Sequence, residues 1–164
     1  MQQTFNIDEV FEMAEQMERN GAAFYRRSAE MTVGNDAGGL LLELARMEDD
    51  HERFFATMRK RLASSEFGEL TYDPNGEAAS YLQAMMHGRV FGIKGDPTRV
   101  FSGSEPIEEV LATAILLEKD TIVFYSGIKE MMPPELGKEK IDAIIREEMS
   151  HVTMLNRRLE ELSH

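Results

Sequence analysis

Apolar residues recur every three or four positions along four stretches of this chain, and each stretch carries its own start and stop signals. The first opens after Asn6, where Asn6 and Glu9 have the spacing of a capping box and Asp8 and Glu9 suit the positive end of a helix dipole. It stops before Gly34-Asn35. The second begins at Asp36, a favourable N-cap residue, and ends in Arg59, Lys60 and Arg61, which complement a C-terminal dipole. The third starts around Ser104-Glu105-Pro106, with proline at a first-turn position where its missing N–H costs nothing, and Pro133-Pro134 closes it. The fourth fills the remainder. The pattern predicts helices over 7–31, 36–62, 105–130 and 137–162, each roughly 38 Å long at 1.5 Å per residue.

Between the second and third helices lies a connection over 64–104, punctuated by Gly68, Pro74-Asn75-Gly76, Gly92, Gly95 and Pro97. Within it Ala78, Tyr81, Leu82, Met85 and Met86 have helical spacing, which predicts a short extra helix over 77–90. No strand pattern extends beyond Arg89-Val90-Phe91. Short links join helices one and two, and helices three and four, so each pair is an antiparallel hairpin, and the long link crosses between the hairpins. The expected fold is all-α: an antiparallel four-helix bundle with one long crossover, the ferritin-like connectivity, in a single domain over 1–164.

The two halves repeat with an offset of 100 residues. Met17-Glu18-Arg19 and Phe24-Tyr25 align with Leu117-Glu118-Lys119 and Phe124-Tyr125, and Arg46, Glu48 and His51 align with Arg146, Glu148 and His151. The shared positions are polar, which common amphipathicity alone does not produce. They also lie on the apolar seams: Phe11, Ala14, Glu18, Gly21, Tyr25 in helix one; Leu41, Leu44, Glu48, His51, Phe55 in helix two. Helices three and four repeat this with Leu111, Ala114, Glu118, Thr121, Tyr125 and with Ile141, Ile144, Glu148, His151, Leu155. Each glutamate sits at mid-height of its helix, so antiparallel packing brings all four level.

Composition narrows the chemistry. With 42% apolar residues the chain can build a core, and with 18 basic against 30 acidic side chains its net charge is -12, which disfavours nucleic acid and anionic membranes and favours cations. The absence of cysteine excludes disulfides, thiolate metal sites, iron–sulfur clusters and thiol nucleophiles. No apolar run approaches the ~20 residues of a membrane span. Met1-Gln2-Gln3-Thr4 lacks a basic, then apolar, leader pattern, so a cytoplasmic location is expected.

Four carboxylates in one core cannot stay charged and unpaired, because each buried ion costs several kcal/mol. Two divalent cations would cancel their charge, and neutral His51 and His151 would add one nitrogen ligand per metal. In Glu-x-x-His three residues turn the helix about 300°, so both side chains project from one face. Such a set suits Fe or Mn, with Zn or Co able to occupy it. The competing reading is a polar network of protonated carboxylates and imidazoles.

On these residues the chain resembles the ferritin-like di-iron carboxylate superfamily and, within it, the rubrerythrin-like branch. The resemblance rests on Met17-Glu18-Arg19, Glu48-Asp49-Asp50-His51, Leu117-Glu118-Lys119-Asp120 and Glu147-Glu148-Met149-Ser150-His151, with Tyr81-Leu82-Gln83-Ala84 and Arg89-Val90-Phe91 in the crossover. It implies two Fe ions, bridged by Glu48 and Glu148, with Glu18 and Glu118 as terminal ligands and His51 and His151 on one iron each. It also implies reaction of the diferrous pair with H2O2 or O2, as a peroxidase or ferroxidase. Without cysteine the chain has no rubredoxin domain, so an external electron-donor protein is implied. Thr121 stands where rubrerythrins carry a further glutamate, which brings the ligand set closer to bacterioferritin. The bundle has no following short helix of the kind found in storage cages, so a homodimer is expected. The alternatives are iron binding and ferroxidation without peroxidase turnover, or a bundle with a structural metal.

Around the ligand set several residues carry two readings. Tyr25 and Tyr125 lie seven residues past Glu18 and Glu118 on the same face, placed to hydrogen-bond a ligand carboxylate, to donate an electron, or simply to fill the core. Glu147 either orients a ligand histidine or belongs to a solvated face. Thr121 reads as packing and His87 as a surface residue. The 12 methionines read as core filler and not as copper ligands.

Overall fold

The computed structural model describes residues 6–32, 36–64, 75–86, 101–132 and 134–164. These form α1 (Ile7–Met31), α2 (Ala37–Ala63), α3 (Glu77–Met86), α4 (Ile107–Met131) and α5 (Lys138–Leu162), with a single 3-10 turn at Pro134–Leu136. Among the described residues there is no strand. The four long helices match the periodic stretches, and α3 is the short helix of the crossover. It ends at Met86; positions 87–90 of the expected helix, with His87 and Arg89-Val90-Phe91, lie outside the described residues.

The helix starts differ in how they are capped. At α1 the capping box forms in both directions: the Glu9 amide donates to Asn6 Oδ1 at 2.8 Å, and the Asn6 amide to Glu9 Oε2 at 3.0 Å. Asp36 precedes α2 but makes no capping bond. Its backbone is already helical (φ -63°, ψ -15°), whereas a capping side chain reaches back only from an extended residue. At α4 the start falls later than the proline rule predicts. Pro106 stays extended (ψ 150°) as the N-cap, while the Glu105 carboxylate turns backward to accept from the Ser102 and Gly103 amides at 2.7 and 2.9 Å. Gly137 opens α5 in the left-handed region (φ 86°), which suits glycine.

Contacts between helices define the topology. Arg59 bonds Asp8 at 2.9 Å and Arg19 bonds Glu52 at 2.6 Å, so α2 descends as α1 rises. Lys129 meets Asp142 at 2.8 Å across the hairpin of α4 and α5. Between hairpins, Tyr25 reaches Glu118 while Tyr125 reaches Glu18, so α1 and α4 are also antiparallel neighbours. The pairing of His51 with Glu148, and of His151 with Glu48, sets α2 antiparallel to α5 in the same way. The bundle therefore has the one-crossover topology expected of it. In the crossover, α3 lies on α4, where Tyr81 donates to the Val123 carbonyl at 2.8 Å.

The apolar core comes in two parts. One collects Phe11, Met17, Phe55, Met58, Phe124, Ile128 and Ile141; the other collects Phe24, Leu41, Leu44, Leu111, Ala114 and Leu155. Along every long helix, Glu18, Glu48, Glu118 or Glu148 falls between the residues given to one part and those given to the other. The buried polar residues thus form a layer with an apolar plug on each side. Methionines 13, 17, 58, 131 and 132 are buried packing residues. No described helix is long and apolar enough to cross a membrane.

The docking of α3 depends on Gly127, where an added Cβ would lie 2.6 Å from the Tyr81 ring and 3.1 Å from Leu82. Overpacking of this kind costs about 1–3 kcal/mol, against a helix-propensity gain of about 1 kcal/mol for replacing glycine. Gly127→Ala should therefore loosen α3 without melting the bundle. Amide exchange should accelerate across Glu77–Met86 while protection in α1 and α2 is unchanged; equal protection of α3 in the variant would contradict this packing.

Candidate metal centre

Glu18, Glu48, His51, Glu118, Glu148 and His151 meet in the polar layer, and none is more than 2% exposed. They fall into two groups whose ligand atoms lie within 4.8 Å of one another: Glu18, Glu48, His51 and Glu148, and Glu48, Glu118, Glu148 and His151. Two ligands on opposite sides of one ion, each about 2.1 Å away, are about 4.2 Å apart, so both groups have metal-site dimensions.

Glu48 and Glu148 belong to both groups, and the atoms show how. Glu48 presents Oε2 to His51 Nδ1 at 3.7 Å and Oε1 to His151 Nδ1 at 3.2 Å. Glu148 presents Oε1 to His51 and Oε2 to His151, both at 2.9 Å. Each carboxylate thus gives one oxygen to each group. Glu18 serves only the His51 group, at 3.5 Å, and Glu118 only the His151 group, also at 3.5 Å. The two imidazoles stack with ring centroids 5.5 Å apart.

The fit to metal can be tested on the orphaned atoms. Oε2 of Glu18, Oε1 of Glu48, Oε2 of Glu118, both oxygens of Glu148 and Nδ1 of both histidines are buried without a hydrogen-bond partner. The Nδ1 atoms are close enough to carboxylates for Coulombic attraction but lack hydrogen-bond alignment. Buried polar atoms left this way are costly. These seven atoms all belong to the six predicted ligands and gather at the shared centre, so the donor set fits a pair of divalent cations.

Without metal, protons must do the balancing. Burial, then the charges of Glu48 and Glu148, push Glu18 and Glu118 well above the ordinary carboxyl range. Burial raises Glu48 too, but contacts from Glu18, His151 and His51 outweigh it and hold that carboxyl low. For the imidazoles burial opposes protonation, and the surrounding carboxylates overcome it, raising His51 strongly and His151 to about 12.

Around the six, the hydroxyl of Tyr25 donates to Glu118 Oε1 and that of Tyr125 to Glu18 Oε1. Each tyrosine thus serves the carboxylate of the opposite half. Burial, followed by those same carboxylate charges, raises both phenols, so they remain protonated donors. Glu147, for which the sequence left two readings, reaches across to His51: its Oε2 lies 2.8 Å from Nε2 while the side chain stays half exposed. Only its adjacency to Glu148 signalled it. Thr121 is buried and donates to the Leu117 carbonyl of its own helix at 3.0 Å, adding no ligand. At the matching place in the first half, Gly21 leaves room for Glu48, whose Cγ would be 3.4 Å from an added Cβ.

No protein-family profile and no curated protein matches the sequence. The fold is found in a crystal structure from Thermotoga maritima, provisionally described as a ferritin-like diiron-carboxylate protein, with a TM-score of 0.66, 22% identity and 96% of each chain covered. At that identity the likeness carries the fold: this chain is an all-α bundle of ferritin-like architecture.

The proton balance predicts how the metal-free protein responds to pH. Glu18, Glu118, His51 and His151 hold protons when folded that the unfolded chain releases near pH 4.3 and 6.5. The histidine contribution is therefore complete below about pH 6.5 and is lost as pH rises toward the folded values, about 12 for His151. Glu48 acts oppositely, its contribution fading only as pH falls below about 4.3. In chelator, stability and with it the unfolding midpoint should fall between about pH 5 and 9, by about 1.4 kcal/mol per pH unit for each proton that the folded chain keeps and the unfolded chain has released. Divalent metal, which displaces those protons, should stabilise more at the alkaline end. Thermal unfolding with and without chelator checks both, and a metal-free midpoint that climbs with pH would refute the proton assignment.

Proposed function

We propose that this protein is a non-haem di-iron oxidoreductase of rubrerythrin-like type, oxidised at a diferrous centre by H2O2 or O2 and re-reduced by a separate electron-donor protein. The observation that carries the reading is the two-faced placement of Glu48 and Glu148, each offering one oxygen to either histidine. Its support in the fold is the ferritin-like architecture. Two irons would be held by Glu18, Glu48, His51 and Glu148 on one side and by Glu48, Glu118, Glu148 and His151 on the other, and when bound they supply the reversible electron pair.

The chain's own residues do the rest. The apolar plugs keep bulk water from the layer, and the four carboxylates neutralise two divalent charges. Tyr25 and Tyr125 hold one oxygen of Glu118 and Glu18 by hydrogen bonds, leaving Oε2 of each free to act as a terminal ligand. Their raised phenols keep the proton while doing so. The chain contains no cysteine with which to hold a thiolate redox centre of its own, hence the external donor. A homodimer in the cytoplasm completes the proposal. A narrower second reading is iron binding and ferroxidation without peroxidase turnover. It draws on Thr121, whose hydroxyl is spent on its own helix at the height where the rubrerythrin pattern calls for another carboxylate.

Anaerobic titration of the metal-free protein with Fe(II) should saturate at two per chain. One equivalent of H2O2 should then raise near-ultraviolet ferric absorbance rapidly. Sustained turnover with an added reductant supports the peroxidase reading, and a single oxidation followed by iron release supports the narrower one. Glu48→Ala and Glu148→Ala should each abolish paired binding, since either removes a ligand common to both positions. Two tightly held metals in either variant would falsify the assignment.

A further inference from the structure

The six ligand residues and both tyrosines obey the 100-residue repeat, Glu18 with Glu118, Glu48 with Glu148, His51 with His151 and Tyr25 with Tyr125. The groups behind the histidines do not. His51 Nε2 lies 2.8 Å from Glu147 Oε2. The residue at the place of Glu147 in the other half is Met47, and His151 Nε2 is buried with no hydrogen-bond partner among the described residues.

We propose that Glu147 is a positioning residue for His51 and makes the two metal positions inequivalent. The position at Glu18 and His51 fills first and holds its ion more tightly than the position at Glu118 and His151. This rests on the paired-metal reading given above. Both imidazoles present Nδ1 to the centre, so a metal there requires the remaining ring proton on Nε2. Glu147 accepts a hydrogen bond from that N–H of His51, fixing the tautomer and ring orientation and increasing the electron density at Nδ1. In His151 the Nε2–H has no acceptor among the described residues, so nothing there fixes its tautomer from behind the ring or adds electron density at Nδ1. Methionine can supply no comparable charged acceptor, its thioether being a weak one.

Glu147 is half exposed, so replacing it does not open the core. The full-length metal-free chain, titrated anaerobically with Co(II) and followed by calorimetry and visible absorbance, should bind two equivalents in two steps. Repulsion between the ions could by itself separate the steps, and the variants distinguish the causes. Glu147→Ala should weaken the first step about 10- to 100-fold, the usual effect of losing such a partner, and leave the second within about twofold. Glu147→Gln, which keeps a neutral acceptor, should retain part of the first-step affinity. Met47→Glu should tighten the second step and narrow the gap. A Glu147→Ala variant that weakens both steps equally, or neither, would overturn the inequivalence while leaving paired binding intact. Fewer than two equivalents in the wild-type chain would instead remove the paired-metal reading on which it stands.

Discussion

The rest of the structure depends on one electrostatic constraint: four carboxylates and two imidazoles share a layer from which water is excluded. Taking each charge out of water costs several kcal/mol, and a domain is stable by only about 5–15 kcal/mol in total. The layer therefore exists only if countercharge is supplied, by protons or by cations. With protons it is a strained compromise, since Glu18 and Glu118 must be neutral beside a low-lying Glu48 and the inward-facing atoms still lack aligned partners. Two cations would supply the countercharge and give those atoms partners. The same atoms that make the metal-free layer costly are those that fit it to a pair of ions.

The surrounding fold serves to keep this layer rigid and dry. The apolar plugs fix the four helices on either side of it, and Phe55 packs its ring 5.1 Å from Tyr125, tying one plug to a residue that holds a site carboxylate. Ion pairs such as Arg59 with Asp8 lie on the outside, where exposure limits each to a fraction of a kcal/mol. They report the register of α1 and α2 more than they stabilise it. Site geometry is set by buried packing along whole helices.

Much of this was legible in the sequence because it depends on helical period alone. Glu18, Glu48, Glu118 and Glu148 stand on apolar seams at equal height, and His51 and His151 each follow their glutamate by three positions, so their convergence follows from α-helix geometry. What depends on contact between distant segments was not legible. That Tyr25 serves Glu118 and not Glu18 requires the antiparallel register of α1 and α4, which no local pattern encodes. The reach of Glu147 to His51 likewise needs the spacing of α2 and α5. Local signals failed where a neighbouring group competed: Asp36 has the right side chain for a cap but a helical backbone, and Glu105 turned back toward Ser102.

The crossed tyrosine bonds carry a consequence for the symmetry of the chain. Tyr25 of the first half contacts Glu118 of the second, and Tyr125 of the second contacts Glu18 of the first. A reciprocal pattern of this kind, in which i meets j and j meets i, is the signature of an isologous two-fold interface. The bundle is thus built as a dimer of helical hairpins would be, each hairpin giving a Glu, a Glu-x-x-His and a tyrosine, with Glu48 and Glu148 as the pair that serves both groups. An assembly of two identical hairpins must change both sides of its centre at once. Joined by a crossover in one chain, the two sides can differ, as they do where Glu147 stands behind His51 and Met47 occupies the equivalent place in the other half.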